Sequence, residues 1–477
     1  MRSRVTSSPL RRALPAIAAI ATLSAGCDDN RAPFSIEIVT AAGTDPVAGA
    51  GTGRLRVLVA QDGQPTRDQG VDLVGGTFQL DVAIADFGVP TRIGVELVRD
   101  GVTSIGALPS FAPVGFPFVR VPVVPRGTCA TLAPQRFATA RVGHALVTVD
   151  ALVLVIGGLD GTATPAPVVE RFTTHLLTAD EGSIAALRDE VEVGRARALR
   201  LASTSHVLVI SSASAVDLNL TQGATPVRTT VMGLPAGAGE RSAIVDLSGN
   251  GVALVGGASG ADGLDVISWV TIDRAVTTSA LPTARRDAAA TSWGSAEGVL
   301  VAGGNATGDA TFLFVPTALA TRENVIAFGL EGEEARVLRG GALVRSPEGT
   351  AALLVGAIDE SGEVTDETFL VTGCPSACTV AEGPTWAHPR TGFAFTQTGG
   401  GAWIVGGRDA SGIVAEAERI TWTGTTPTLT PLRLAAARED AAITPIAGGL
   451  VLVGGGRDAS GVRDDLELCA PDQLEAL

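Results

Sequence analysis

Two residue types with distinctive chemistry are missing from this 477-residue chain. It has no tyrosine, and no lysine occurs anywhere in the sequence, so all 35 basic residues are arginines. These absences exclude lysine Schiff bases and tyrosine nucleophiles from any mechanism. The formal net charge is -15, which disfavours nucleic acid, and no nucleic-acid partner is predicted.

Histidine is scarce as well. The four histidines, His144, His175, His206 and His388, show no metal-ligand spacing to one another or to a cysteine. His144 and His206 fall near positions where the strands of a repeat begin, and packing is the role expected there. The sequence therefore predicts no metal site and no cofactor.

What the chain has in quantity is turn-forming and β-branched residues. It contains 59 glycines and 26 prolines, whereas long apolar stripes at helical spacing are missing. Hydrophobic residues make up 45% of the sequence, which excludes general disorder. Because so long a chain exceeds one ordinary core, we predict an all-β protein with a large repeat fold or several domains.

The first 26 residues have the layout of a signal peptide. Residues 1–15 carry four arginines, and residues 16–25 form an apolar run too short for a permanent bilayer span. The sequence Leu23-Ser-Ala-Gly-Cys27 resembles the lipobox of bacterial lipoproteins, with the leucine one place further from the cysteine than that family prefers. The resemblance implies cleavage before Cys27, lipid such as palmitate on its sulfur, and a tether over residues 27–32. The alternative is an ordinary signal peptide with a chance cysteine.

Four cysteines remain after the predicted cleavage site: Cys129, Cys374, Cys378 and Cys469. An even number in an exported chain predicts two disulfides. Taken by themselves, four cysteines allow three connectivities.

A repeated pattern begins near residue 141. Each copy has an arginine, a strand, a turn, an apolar strand that ends in a glycine pair, and further strands. The clear glycine pairs are Gly157-Gly158, Gly256-Gly257, Gly303-Gly304, Gly406-Gly407 and Gly454-Gly455, and degraded copies have Ser211-Ser212 and Gly356-Ala357. The arginines that open the repeats are Arg141, Arg197, Arg241, Arg285, Arg339, Arg390 and Arg438, spaced by 56, 44, 44, 54, 51 and 48 residues.

The glycine pair and a period of about 50 residues resemble the kelch repeats of β-propellers. The resemblance implies a seven-bladed propeller over residues 128–477, with four short strands in each blade. The tyrosine of the kelch family is absent throughout. Copper radical oxidases and sialidases with related folds need tyrosine, so their chemistry is excluded here.

The cysteines then fit the repeat. Cys129 precedes Arg141 by twelve residues, as Cys378 precedes Arg390, and the segment ending at Cys469 mirrors the one ending at Cys374. We therefore predict the disulfides Cys129–Cys469 and Cys374–Cys378. We also predict that a strand from residues 129–138 closes the last blade.

Residues 33–127 lack the repeat but contain segments that alternate apolar and polar residues. Such period-2 strands separated by glycine and aspartate turns predict a small β-sandwich. Between a lipid anchor and a propeller, this domain would serve as a spacer or as a second binding surface.

The repeat arginines are the candidate site for anions or other ligands. If each begins an innermost strand, the seven guanidiniums would circle one mouth of the channel, joined by Arg408 and Arg457 from nearby loops. The alternative is that they are structural ties to loop carbonyls or to the acids Glu170, Glu367, Glu418 and Glu467.

Recurring aspartate turns accompany the glycine pairs, as in Asp409-Ala-Ser411-Gly412 and Asp458-Ala-Ser460-Gly461. Aspartate and serine beside glycine can bind calcium, but the spacing is not that of an EF-hand. A turn stabilised by its own side chains explains the pattern, and we adopt that interpretation.

Two functions remain open, together with a purely structural role in the envelope that the sequence does not separate from the first. The first is a monomeric, non-catalytic binding or scaffold lipoprotein of the bacterial envelope that presents its propeller face to an acidic peptide, a glycan or a partner protein. The second is an envelope carbohydrate-active enzyme that uses acidic residues at the channel mouth. An enzyme should have clustered acids without arginine partners at that mouth, whereas a scaffold should have paired acids. The sequence does not specify whether the anchor lies in the inner or the outer membrane, or whether the protein faces the periplasm or the cell surface.

Overall fold

The computed structural model describes residues 20–23, 34–41, 52–74, 84, 88–113, 118–165, 169–174, 178–181, 197–201, 205–211, 214–220, 227–247, 250–260, 262–295, 297–306, 309–317, 322–330 and 336–477. Cys27, the tether and His175 lie outside these residues. In the described part, all regular structure is β apart from a 3-10 turn at Arg322–Asn324, so the all-β prediction is confirmed. No helix in these ranges has the length and hydropathy to cross a bilayer.

The N-terminal strands form one continuous seven-stranded sheet in the order β1-β2-β7-β6-β5-β3-β4. Alternate side chains of β3, such as Leu55 and Val57, and of β5, such as Ile93, face a core that β2 and β7 also enter. The strands are β1 Ile20–Leu23, β2 Phe34–Thr40, β3 Thr52–Gln61, β4 Arg67–Val74, β5 Thr91–Arg99, β6 Val102–Phe111 and β7 Phe118–Pro125.

The rest of the described chain contains seven sheets with four main strands each, named sheets 1 to 7 in chain order. Sheet 1 comprises β9 Ala145–Val149, β10 Leu152–Ile156, β11 Glu170–Thr173 and β12 Thr178–Glu181. Sheet 2 comprises β13 Arg197–Arg200, β14 His206–Ile210, β15 Ala215–Asn219 and β16 Val227–Val231. Sheet 3 comprises β17 Ala243–Asp246, β18 Val252–Val255, β20 Asp262–Val270 and β21 Val276–Arg285, with the short β19 Ala258–Ser259.

Sheets 4 to 7 follow the same plan. Sheet 4 comprises β22 Ala289–Trp293, β23 Gly298–Ala302, β24 Phe312–Pro316 and β25 Ile326–Phe328, and sheet 5 comprises β26 Ala342–Arg345, β27 Ala351–Val355, β28 Phe369–Thr372 and β29 Thr379–Glu382. Sheet 6 comprises β30 Ala394–Thr398, β31 Gly401–Val405, β34 Glu416–Thr423 and β35 Thr426–Arg433. Sheet 7 comprises β36 Ala442–Pro445, β37 Val451–Gly454, β40 Asp465–Cys469 and β8 Cys129–Arg136. Two small ribbons pair β32 Arg408–Asp409 with β33 Gly412–Ile413, and β38 Arg457–Asp458 with β39 Gly461–Val462.

The second strand of each sheet explains how the sheets assemble. These strands are continuous apolar runs, such as β27, whose five residues are all buried. A strand without alternation has both faces covered. Shared hydrophobic clusters accordingly join sheets 1 to 2, 2 to 3, 3 to 4, 4 to 5, 5 to 6 and 6 to 7, and a further cluster joins sheet 7 to sheet 1. The sheets therefore form a closed ring.

Sheet 7 is completed by β8, which comes from the beginning of the ring. β8 pairs antiparallel with β40, and Cys129 lies opposite Cys469 in the register. The two sulfurs are bonded at 2.03 Å across 340 residues of sequence, and Cys374 is bonded to Cys378. These are the pairings predicted from the repeat. In the chain-entropy view, a closure of this length contributes about 6 kcal/mol.

The N-terminal domain packs directly on sheet 7. Val39 and Ile105 of this domain share a hydrophobic cluster with Leu450 and Leu468 of the sheet. The backbone N–H of Ala133 in β8 also donates to the carbonyl of Ala41 at 2.7 Å. A shared core of this kind fixes the domain against the ring.

Candidate functional site

Four of the five clear glycine pairs accept a hydrogen bond from a buried arginine side chain. The carbonyls of Gly157, Gly303, Gly406 and Gly455 accept hydrogen bonds of 2.6 to 3.0 Å from the guanidiniums of the arginines that open the same sheets: Arg141, Arg285, Arg390 and Arg438. All four arginines are fully buried. We call this contact the arginine–glycine link.

The same arginines connect neighbouring sheets through their backbones. The N–H of Gly407 in sheet 6 donates to the carbonyl of Arg438 in sheet 7 at 2.8 Å, and that of Gly456 donates to Arg141 of sheet 1 at 2.9 Å. Position 406, which precedes Gly407, requires a glycine, because a Cβ there would lie 2.1 Å from the carbonyl oxygen of Arg438. Its φ of 61° is also left-handed.

Three of the four links include a carboxylate. Arg141 pairs with Glu170, Arg390 with Glu418 and Arg438 with Glu467. The carboxylate of Glu467 also accepts the N–H groups of residues 435 and 436 at 2.7 and 3.1 Å. Arg285 is bonded to carbonyls instead, and burial lowers its pKa to about 10. These contacts show that the four guanidiniums are structural ties to carbonyls and acids. The prediction that they form a ligand-binding ring is therefore wrong for Arg141, Arg285, Arg390 and Arg438.

The other three repeat arginines do not occupy the same place. Arg197 lies within β13 and reaches the carbonyls of Gly239 and Ser242, which precede the first strand of sheet 3. Arg241 is paired with Asp287. Arg339 is exposed, and the buried Leu338 takes the place of the linking arginine, since its carbonyl accepts the N–H of Gly304.

Arg408 and Arg457 share one carboxylate. Their guanidiniums donate to Glu439 at 2.7 and 2.6 Å, and half of each side chain stays exposed. The hydrogen bond from Arg408, assisted by that from Arg457, lowers the pKa of Glu439. Glu367, the remaining acid that the sequence offered as a tie for a repeat arginine, instead forms an ion pair with Arg336.

Backbone hydrogen bonds draw the ring together at the end where the first strands begin. The N–H of Asp440 donates to Gly392 at 2.9 Å, that of Gly143 to Asp440 at 3.1 Å, and that of Asp287 to Arg241 at 2.9 Å. All five residues have φ between 49° and 67°. Direct contact between neighbouring backbones leaves little room for a ligand at this end.

The aspartate turns are closed by their own side chains. Oδ1 of Asp409 accepts the N–H and hydroxyl of Ser411 at 2.7 and 2.6 Å, and Asp458 does the same with Ser460. Burial opposes the charge of Asp458, but these bonds and Arg463 outweigh it and lower the pKa of Asp458 to about 2. In the described ranges, no group of three or more potential metal ligands comes together.

The opposite end of the ring opens into a cavity of about 740 Å³, within the usual range for ligand sites. Its walls come from the ends of the first strands, from the N-terminal domain through Arg92 and Ser110, and from Glu475 and its neighbours. Hydroxyl and amide side chains line much of it: Ser110, Thr148, Thr396, Gln397, Thr398 and Thr444. The sequence predicted a channel mouth but not this composite wall, because no local motif marks it.

The three acids that line the cavity all have partners. Asp150 pairs with Arg200 at 2.9 Å, and Glu475 pairs with Arg419 at 2.8 Å. Asp246 is also engaged. Asp150 and Glu475 are thus each held in place by a guanidinium.

The described histidines have different surroundings. His206 contacts the carboxylate of Asp217 through Nδ1 at 2.9 Å, whereas His388 is exposed. His144 is buried against the ring of Phe137, with a centroid distance of 5.4 Å. Burial, with the nearby charges of Arg141 and Arg438, lowers the pKa of His144 to about 3.

Comparisons with known proteins give no family. No protein-family model matches the chain, and no curated protein matches it. Among 271 matching chains of solved structures, one titled "Structure of YjhT" has a TM-score of 0.41 and 13% identity, over 58% of this chain and 95% of that one.

The arginine–glycine link predicts a strong dependence of stability on Arg438. Replacing Arg438 with Met leaves Glu467 buried without its guanidinium, which should lower the free energy of unfolding by about 3 to 5 kcal/mol. Replacing the exposed Arg339 with Met should change it by less than about 0.5 kcal/mol. Urea unfolding of both variants measures the difference, and equal effects would contradict the buried role.

The surroundings of His144 predict a pH dependence. The unfolded chain binds a proton on this histidine below about pH 6.5, whereas the folded chain excludes it down to about pH 3. The free energy of unfolding should therefore fall with decreasing pH in that window, by up to about 1.4 kcal/mol per pH unit from this residue. His144→Leu should remove this part of the slope, and His388→Gln should retain it. An unchanged slope in His144→Leu, measured by urea unfolding from pH 7 to pH 5, would refute the assignment.

Proposed function

We propose that this chain is a lipoprotein of the bacterial envelope whose seven-bladed, kelch-like β-propeller acts as a non-catalytic binding or scaffold module. The ligand enters the cavity at the open end of the ring. The partner is an acidic peptide, a glycan or an envelope protein, and the protein works as a monomer.

Two features support the propeller. The described residues contain seven four-stranded sheets in a closed ring, and β8 closes the last of them. The arginine–glycine link joins the arginine and the glycine pair of one sheet. The backbone carbonyl of that arginine also accepts an N–H from the glycine pair of the preceding sheet, which accounts for the coupled recurrence of both residues. A strand from the start of the ring in its last sheet removes the free edge that an open array would have.

The pairing of the cavity acids is the observation that carries the binding role. Asp150 and Glu475 are held by Arg200 and Arg419, and Asp246 is engaged. Carboxylates held in this way have fixed positions and can orient a polar ligand. The neutral hydroxyls and amides of the wall then supply hydrogen bonds to a polar ligand.

The alternative is an envelope carbohydrate-active enzyme. A hydroxyl-rich cavity also suits a sugar, and Asp150 is half exposed. Under this alternative, turnover of an envelope glycan should be lost in Asp150→Asn.

The cavity is tested by narrowing it. Ser110→Trp places an indole in the wall from the N-terminal domain, and Thr426→Trp adds the same bulk at an exposed position of an outer strand that does not line the cavity. Crosslinked pull-down from the native cells should recover the same partner with the wild type and Thr426→Trp, and should lose it with Ser110→Trp. Equal melting temperatures control for folding. Retention of the partner by Ser110→Trp would refute the cavity as the site.

The anchor is tested at Cys27. Cells grown with labelled palmitate should label the wild-type protein, and Cys27→Ser should abolish the label and release the protein from the membrane fraction. Strand β1 falls within the predicted leader, so cleavage would also leave β2 at the edge of its sheet. Label that persists in Cys27→Ser would show that the lipoprotein assignment is wrong.

A further inference from the structure

Residues 471–477 follow β40, and Glu475, Ala476 and Leu477 among them line the cavity. The backbone N–H of Glu475 donates to the carbonyl of Gly448 at 3.0 Å. Leu474 and Leu477 pack against the cluster that the N-terminal domain shares with sheet 7. We call residues 471–477 the rim segment.

The carboxylate of Glu475 has a constructed binding niche. Its oxygens accept hydrogen bonds from Nη2 of Arg419 at 2.8 Å, from the N–H of Gly400 at 2.9 Å and from the hydroxyl of Thr398 at 3.3 Å. Charge-assisted bonds of this type are the stronger ones in proteins. The three donors belong to sheet 6, so the niche exists independently of the rim segment.

The guanidinium in the niche has unused capacity. Arg419 is only 8% exposed, and its Nε is buried with no hydrogen-bond partner within the described residues. A buried donor without a partner is unfavourable, because it has lost its hydrogen bond to water. Arg419 donates only one hydrogen bond to Glu475. An arginine can donate two parallel hydrogen bonds to a carboxylate that is placed opposite its guanidinium, so one bond is missing here.

Four glycines shape the surface under the rim segment. A Cβ on Gly400 would lie 2.6 Å from Oε1 of Glu475, and one on Gly449 would lie 2.4 Å from its Cδ. On Gly94 and Gly448, it would lie 2.7 and 2.5 Å from the methyl carbons of Leu474. Side chains are thus missing wherever the segment needs room, on the N-terminal domain as well as on the ring.

From these contacts we propose that the groove under the rim segment is a peptide-binding site, and that the segment occupies it as an internal ligand. The external ligand is an acidic peptide in which a leucine directly precedes a glutamate, as Leu474 precedes Glu475. Such a peptide replaces the segment, places its carboxylate in the Arg419 niche and opens the cavity. This inference rests on the proposed binding function and names its ligand class.

An internal ligand competes strongly. A tethered segment acts at an effective concentration in the millimolar range. Peptides in solution therefore bind weakly to the wild type and tightly only when the cis contact is weakened. This competition separates an internal ligand from an ordinary packed segment, which has no affinity for its groove once detached.

The experiment uses the full chain and a fluorescent peptide with the sequence of residues 471–477. Two variants weaken the cis contact: Glu475→Gln lowers the charge, and Gly400→Ala, at a position without positive φ, fills the niche. Glu382→Gln changes an exposed acid outside the segment, and Gly329→Ala, with no atom near its Cβ, controls for glycine replacement. Binding is read by anisotropy, and amide hydrogen exchange at Glu475 reports the release of the segment.

In Glu475→Gln, exchange at residue 475 should rise about tenfold or more, and affinity for the peptide should increase by a similar factor over the wild type. Gly400→Ala should raise exchange but fail to bind the peptide, because its niche is filled. Both controls should behave as wild type. Faster exchange in Glu475→Gln without peptide binding would overturn the proposal, as would equal binding of a peptide with Gln in place of the glutamate.

The two proposals fail separately. If the peptide binds Glu475→Gln but native cells yield no partner that Ser110→Trp loses, the groove is real and the envelope function is wrong. If cells yield such a partner but the peptide does not bind, the cavity has a ligand of another class and the internal-ligand proposal is wrong.

Discussion

The ring depends on the contacts of fully buried arginines that lie where two neighbouring sheets meet. Arg438 shows these contacts: Nη1 donates to the carbonyl of Gly455, Nη2 meets Glu467, and the backbone carbonyl receives the N–H of Gly407 from the neighbouring sheet. A buried charge is tolerated only when it is paired and hydrogen-bonded. The carboxylate and the loop carbonyl meet that condition, so the same contact sets the end of the second strand and the spacing of the next sheet.

This link has consequences for function, because it removes the arginines from the surface. A chain with a formal net charge of -15 would use exposed guanidiniums to attract an acidic partner. Arg141, Arg285, Arg390 and Arg438 instead hold the ring together at the end where backbones touch. The space for a ligand is left at the other end, where the first strands finish and the N-terminal domain completes the wall.

The rim segment and the N-terminal domain act on the cavity together. Leu474 and Leu477 lie against Gly94 of the domain, while Glu475 reaches the ring through Gly400 and Arg419. Residues from three distant parts of the sequence thus meet at one rim. A ligand that releases Glu475 would also loosen a contact between the domain and the ring, which connects occupancy of the site to the way the two parts are held.

The sequence by itself determined the all-β class, the repeat period, both disulfide pairings and the closure of the last sheet by the strand that begins at Cys129. These features follow from repeated patterns: glycine pairs and apolar runs recur along the chain, and the cysteine spacing around Cys374 and Cys378 is repeated by Cys469 and Cys129. The sequence also contained the acids Glu170, Glu418 and Glu467, but it could not decide whether the arginines face them or a ligand. Only the tertiary structure decided that, and it placed Leu338 rather than Arg339 at the link. Whether a charged side chain is buried depends on neighbours from another strand or sheet, and no local pattern encodes them.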